Sequence, residues 1–160
     1  MYEILDEIKG LLSAAMTTSI TKYYVGKVHN PAINQLPILA IYGDNTTLIE
    51  KSTARDRYQH TIKIEILTNA YRKVNATGGV EADGVLDAQK QILDLFEEVD
   101  ANHTPKTTTV LGVLRENIKG TDYLFNDDIV IQYETENVEG EVYYRGVLTF
   151  TVDQFRSRPS

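Results

Sequence analysis

The chain has 160 residues, of which 42% are hydrophobic and 24% charged, an ordinary globular composition able to bury about two-thirds of the surface the unfolded chain exposes. Its formal net charge of −7 runs against a general nucleic-acid binder, which needs clustered Lys and Arg to displace phosphate counterions. The absence of Cys excludes a disulfide framework, a thiolate nucleophile and a cysteine zinc site.

From Met1 to Met16 the apolar residues Met1, Ile4, Leu5, Ile8, Leu11, Leu12, Ala15 and Met16 recur at the spacing of an amphipathic helix. Acids stand where a secretory leader needs a basic region, and no run approaches the roughly 18 apolar residues of a membrane span. An intracellular protein without a membrane segment is therefore expected. ITKYYVGKV (20–28) and PILAIYG (37–43) are β-rich runs bounded by turn residues. DNTTLIEKSTARD (44–56) reads as a polar loop. YQHTIKIEILT (58–68) follows, with His60, Ile62, Ile64 and Ile66 alternating against Thr61, Lys63 and Glu65.

YRKVNATGG (71–79) is a second loop, and its Thr77-Gly78-Gly79 lacks the spacing of a phosphate-binding loop. A helix is predicted over 83–99, with Leu86, Ile92, Leu93, Phe96 and Val99 on one side and Asp83 placed to cap its start. TTTVLGVLR (107–115) reads as a strand, and ENIKGTDYLFNDD (116–128) as a third polar loop. IVIQYETE (129–136), the turn NVEG and EVYYRGVLTFTV (141–152) form a hairpin with one buried and one wet face. The order of elements predicts an α+β fold over residues 1–160 as one domain. It consists mainly of an antiparallel sheet with two helices packed on one face, joined by long polar loops. Loops of that length in a compact domain are usually functional or disordered.

The search for chemistry yields no catalytic set. Arg55, Asp56, Arg57 and His60 lie close together, but His60 is in phase with Ile62, Ile64 and Ile66. It therefore opens the buried face of a strand and is expected to be a satisfied histidine at the core edge, beside a charged strand start. His29 and His103 are isolated, so neither a paired-histidine metal site nor a cofactor is expected. No serine lies in a nucleophile-elbow context. Asp127, Asp128, Glu134, Glu136, Glu139 and Glu141 gather around one hairpin without the alternation and glycine of a calcium loop, and read as a solvated electronegative face. The Asn-X-Ser/Thr triplets at Asn45, Asn75 and Asn102 suit turns.

The tyrosines stand out: ten Tyr and no Trp. Tyr23-Tyr24 and Tyr143-Tyr144 each put one ring on either side of a strand, so one of each pair is exposed or lies at an interface, where tyrosine is enriched. Choice for β-propensity alone is the other reading of each. Tyr123, Leu124 and Phe125 form an apolar triplet between a glycine and two aspartates. It is either a short buried strand or an exposed patch with the anatomy of a contact site. The partner-contact candidates are Tyr123, Leu124, Phe125, Tyr143, Arg55 and Arg57.

A helix leading into a Thr/Ser-rich strand start, PILAIYG, HTIKIEILT, a central amphipathic helix and a closing YRGVLTFTVDQFR (144–156) together resemble the tail terminator proteins of tailed bacteriophages. That group includes the minor tail protein U of lambda-like phages. The resemblance spans nearly the whole chain as element order and length, not as a fixed motif, so it assigns no individual residue a role. It implies a non-enzymatic virion protein, assembled in the host cytoplasm, that forms a homo-hexameric ring on the head-proximal end of the tail tube. Its partners would be further copies of itself, the tail tube protein and a head-completion or neck protein. DNA would slide through an acidic lumen without binding, which agrees with the net charge. Another neck or tail-completion protein remains open, as does a small-ligand-binding or enzymatic α+β domain.

Overall fold

The computed structural model describes residues 1–29, 35–51, 54–70, 72–74, 80–83, 85–117, 123–138 and 140–157. In chain order these form α1 (Tyr2–Ala15), β1 (Lys22–Val25), β2 (Ile38–Lys51), β3 (Arg55–Asn69), β4 (Arg72–Val74) and β5 (Val80–Asp83). There follow α2 (Val85–Glu97), α3 (Val110–Asn117), β6 (Tyr123–Val138) and β7 (Glu141–Ser157). The main sheet has the order β1-β2-β3-β7-β6, and β4 pairs with β5 apart from it. Among the described residues only β1 and β2 run parallel; the other pairs are antiparallel. The fold is α+β. No helix among the described residues is long and apolar enough to cross a membrane.

The period-two pattern of β3 sets the register of the sheet. Ile62, Ile64 and Ile66 point to one face, opposite Gly43, Ile41 and Leu39 of β2 and Phe150, Leu148 and Gly146 of β7. That face meets the apolar stripe of α1 (Ile4, Leu5, Ile8, Leu12), Ile92 and Phe96 of α2, and Val110, Val113 and Leu114 of α3 in one core. Burying each such Leu, Ile or Phe contributes about 1.5–3 kcal/mol, and a one-residue slip of β3 would turn the whole isoleucine row out of it. Gly146 makes room for the core: a Cβ there would lie 2.4 Å from the Phe96 ring. Phe96 meets Tyr133 edge-on at 6.1 Å, and Tyr133 stacks on Tyr144 at 6.3 Å.

Three sequence expectations are corrected. TTTVLGVLR is not a strand but the start of a third helix. Thr109 accepts the Gly112 N–H on its hydroxyl oxygen at 3.1 Å, an N-cap, and residues 110, 113 and 114 are buried at helical spacing. The segment 44–56 is not one loop: residues 44–51 belong to β2 and 55–56 to β3, while 52–53 lie outside the described residues. Asp83 ends β5 and so precedes the second helix, which starts at Val85. Of the expected loop 71–79, residues 72–74 belong to β4, and 71 and 75–79 lie outside the described residues. Of 116–128, the part from Tyr123 belongs to β6, and 118–122 lie outside them.

Candidate interaction surfaces

Two edges bound the main sheet. On one side β1 covers only the first part of β2, pairing Lys22–Val25 with Ile38–Ile41. Gly26, with φ +119, donates its N–H to the Ile41 carbonyl and turns the chain away, a conformation that suits glycine. Among the described residues no strand pairs with the β1 side of Tyr42–Lys51. On the other side β6 is the end strand along its whole length. The two edges carry exposed apolar residues: Leu48 (37%) and Ile49 (46%) on β2, Leu124 (56%) and Val130 (55%) on β6. Singly exposed apolar residues such as Tyr2 and Val99 need no explanation, but the other four lie along these two edges.

Where β1 stops, a cleft of about 470 Å³ opens beside the free part of β2. Met1, Tyr2 and Leu5 of the α1 end, Val25 and the Gly43–Thr46 segment line it, with Lys27 at its rim. At the other end of α1, Tyr23 ties β1 to the helix by donating its hydroxyl to the Met16 carbonyl at 2.9 Å, and burial pushes its pKa up to about 12.

At its centre the face opposite the core carries a cluster of paired polar side chains. Glu65, almost fully buried, accepts from Arg145 Nη1 at 3.0 Å and from the Tyr42 hydroxyl at 3.1 Å. Arg145 also donates to Glu134 through Nη2, and its Nη1 lies 3.3 Å from Glu136. Burial alone would lower the Arg145 pKa, but the bonds to Glu65 and Glu134 outweigh it and hold the cation firmly charged. Burial and the neighbouring Glu65 carboxylate push the Tyr42 hydroxyl well above the usual tyrosine range.

Toward the β2–β3 hairpin, fully buried Asp153 accepts from Arg57 Nε at 3.0 Å and Nη2, and from Gln59 and Asn126 at 3.2 Å each. Burial would raise the Asp153 pKa, yet these donors and the Arg57 charge hold it below the usual carboxylate range. Arg55 lies over the Phe155 ring at 4.6 Å, and Arg156 over Tyr58 at 4.9 Å. His60 is buried, receives the Thr46 hydroxyl on Nδ1 and donates from Nε2 to Gln154 Oε1, each at 2.8 Å. Burial lowers its pKa, the Gln154 bond opposes that, and the Met1 ammonium and Arg156 reinforce it.

The sequence-predicted residues scatter over these features. Leu124 is exposed on the β6 edge. Phe125 is corrected: it packs on Phe150 at 5.3 Å against the core, because the triplet lies in a strand and alternate residues take opposite faces. Tyr123 starts β6. Tyr143 is corrected as well: at 3% exposure it belongs to a second small core with Leu36, Ile38 and Leu67, on the face away from the helices. Arg57 is not a free contact residue but the partner of Asp153, while Arg55 is exposed at the hairpin end.

Asp127 and Asp128 fall in the register shift of β6 between Asn126 and Val130. Glu134 and Glu136 are bridged by Arg145 and so are not a purely solvated acidic face. Glu141 begins β7, and Glu139 lies outside the described residues. Sequence reading missed Leu48 and Ile49, hidden in an apparent loop, and the two buried carboxylates. A Glu or Asp at an even step from Lys63 or Thr151 gives no sign that its neighbours will cover it. Among the described residues no group of three or more His, Cys, Asp or Glu side chains could hold a metal. Comparison with known protein families and with curated proteins finds no match for the chain.

Proposed function

We propose that the protein is a structural component of a bacteriophage tail. It forms a ring on the head-proximal end of the tail tube, stops tube polymerisation and offers the surface to which head-completion proteins join. The observation that carries this reading is the pair of open, apolar-studded sheet edges on a body whose other conspicuous polar groups are spent on internal pairing. Such edges are templates for association. The order of elements and the acidity, which disfavours binding of DNA passing through a ring, support the same reading. In this reading the helices form one layer against a single sheet face and leave the edges for contacts.

The test is deletion of the coding segment from its phage, followed by negative-stain microscopy and light scattering on the purified chain. Tubes longer than normal and unattached to heads, with a six-subunit species in solution or on tube tips, are expected. Tails of normal length joined to heads in its absence would overturn the reading.

A further inference from the structure

We propose that copies of this chain associate edge to edge, β6 of one subunit adding antiparallel to the free Tyr42–Lys51 segment of β2 in the next, so that the sheets become continuous. The inference rests on the self-assembly proposed above and assigns its surface.

Four observations meet at these strands. The first is vacancy. β2 outruns β1 by the stretch Tyr42–Lys51, and no described strand pairs with its outer side. Gly26 sends the chain away at the point where β1 would have continued, and the cleft beside Met1, Leu5 and Val25 lies where the side chains of a continuing strand would project.

The second is charge. Within Tyr123–Val138 every ionisable carboxyl or basic side chain is an acid: Asp127, Asp128, Glu134 and Glu136. The Tyr42–Lys51 segment carries Asp44, which is bridged to Lys63, Glu50 and exposed Lys51, and exposed Lys27 lines the cleft beside it. A second β6 strand would offer these acids no lysine or arginine, whereas the β2 edge offers Lys27 and Lys51. Like charges directly opposite one another on paired strands are destabilising. This selects a heterologous contact, the kind that closes into a ring or runs on as a filament.

The third is direction. From β2 through β3 and β7 to β6 each step is antiparallel, so β6 runs opposite to β2 within one subunit. Rotation about an axis along the strands keeps that relation. The neighbour's β6 therefore meets β2 antiparallel, the slightly more stable ladder. The fourth is incomplete burial. Ile129 and Ile131 of β6 face the core but are only half-buried in their own subunit, and a strand laid along β2 would bring them over the cleft.

Because the chain contains no Cys, single cysteines report the contact directly. Thr47→Cys on β2 and Gln132→Cys on β6 are exposed positions, and both lie on the sheet face away from the core. The two full-length variants are mixed at the highest soluble concentration, bridged with a short bis-maleimide and separated on a denaturing gel, with light scattering run in parallel. Bridges between unlike variants, exceeding those between like variants, are expected. Asp128→Lys and Lys27→Glu should each weaken association roughly tenfold and the two together restore part of it, with the melting temperature unchanged. Bridges only between like variants would overturn the edge pairing. So would a large species by light scattering that gives no unlike bridges, and that result would leave ring formation standing. A monomer with no bridges would overturn the edge pairing and count against self-assembly in solution together with it.

Discussion

At the scale of single residues the buried polar groups set the response to acid. His60 has a depressed folded pKa, so the unfolded chain binds its proton first. Its contribution is complete above the unfolded value of about 6.5 and is lost as pH falls below it. Asp153 is also depressed, so its contribution is present above the unfolded carboxyl value of about 3.9 and fades as pH falls further. Melting temperature should therefore fall in two steps, one below about pH 6.5 and one below about pH 4. His60→Gln should cost about 1 kcal/mol at neutral pH and remove only the upper step, with association unchanged. An upper step that survives in the variant would assign it to another group, the Met1 ammonium, whose pKa burial also lowers. Asp153→Asn leaves Arg57 without its carboxylate; because Arg57 is partly solvated, the expected loss is about 2 kcal/mol by urea titration. A loss below about half a kilocalorie would show that the pair is surface-like in spite of its burial.

At the scale of elements, what the sequence reveals depends on whether one strand or helix carries its own periodicity. The row His60, Ile62, Ile64, Ile66 names its face without help, as does the stripe Ile4, Leu5, Ile8, Leu12, and both are where periodicity puts them. TTTVLGVLR defeats that reading because threonine and valine favour strands, while the helix is decided by a cap and by burial against α1 and α2. The signal was present as Thr109, a residue type suited to cap a helix, and as the spacing of Val110, Val113 and Leu114. Gly112 is required there: a Cβ would lie 2.0 Å from the Lys106 carbonyl oxygen. Gly112→Ala should therefore destabilise by roughly 2 kcal/mol or more although alanine favours helices, and an unchanged denaturation midpoint would refute the close approach. The outer half of β2 was illegible for a different reason. Solvated on both faces, it has no alternation, and only its pairing with β3 makes it a strand.

At the scale of the whole molecule, the candidate contact surface is an edge and not a loop, and this changes which substitutions are informative. Phe125 and Tyr143 serve the two cores, so replacing them tests folding. Phe125→Ser should cost roughly 2–3 kcal/mol by loss of packing on Phe150. Leu124 and Val130 lie opposite Asp153 and Thr149 of β7, on the face away from the core, and are more than half exposed. Leu124→Ser with Val130→Ser should leave stability within about 0.5 kcal/mol. If this edge is buried against a neighbouring subunit, the tube or the neck, the double variant loses two apolar anchors at the rim of the contact. A folded subunit with unchanged melting temperature should then fail to complete tails, seen as over-long or headless tubes by negative stain. Normal particles from a folded double variant would remove these two side chains from any essential contact. The bulge at Asn126–Val130, which separates them, would then serve only to blunt the edge against unwanted pairing.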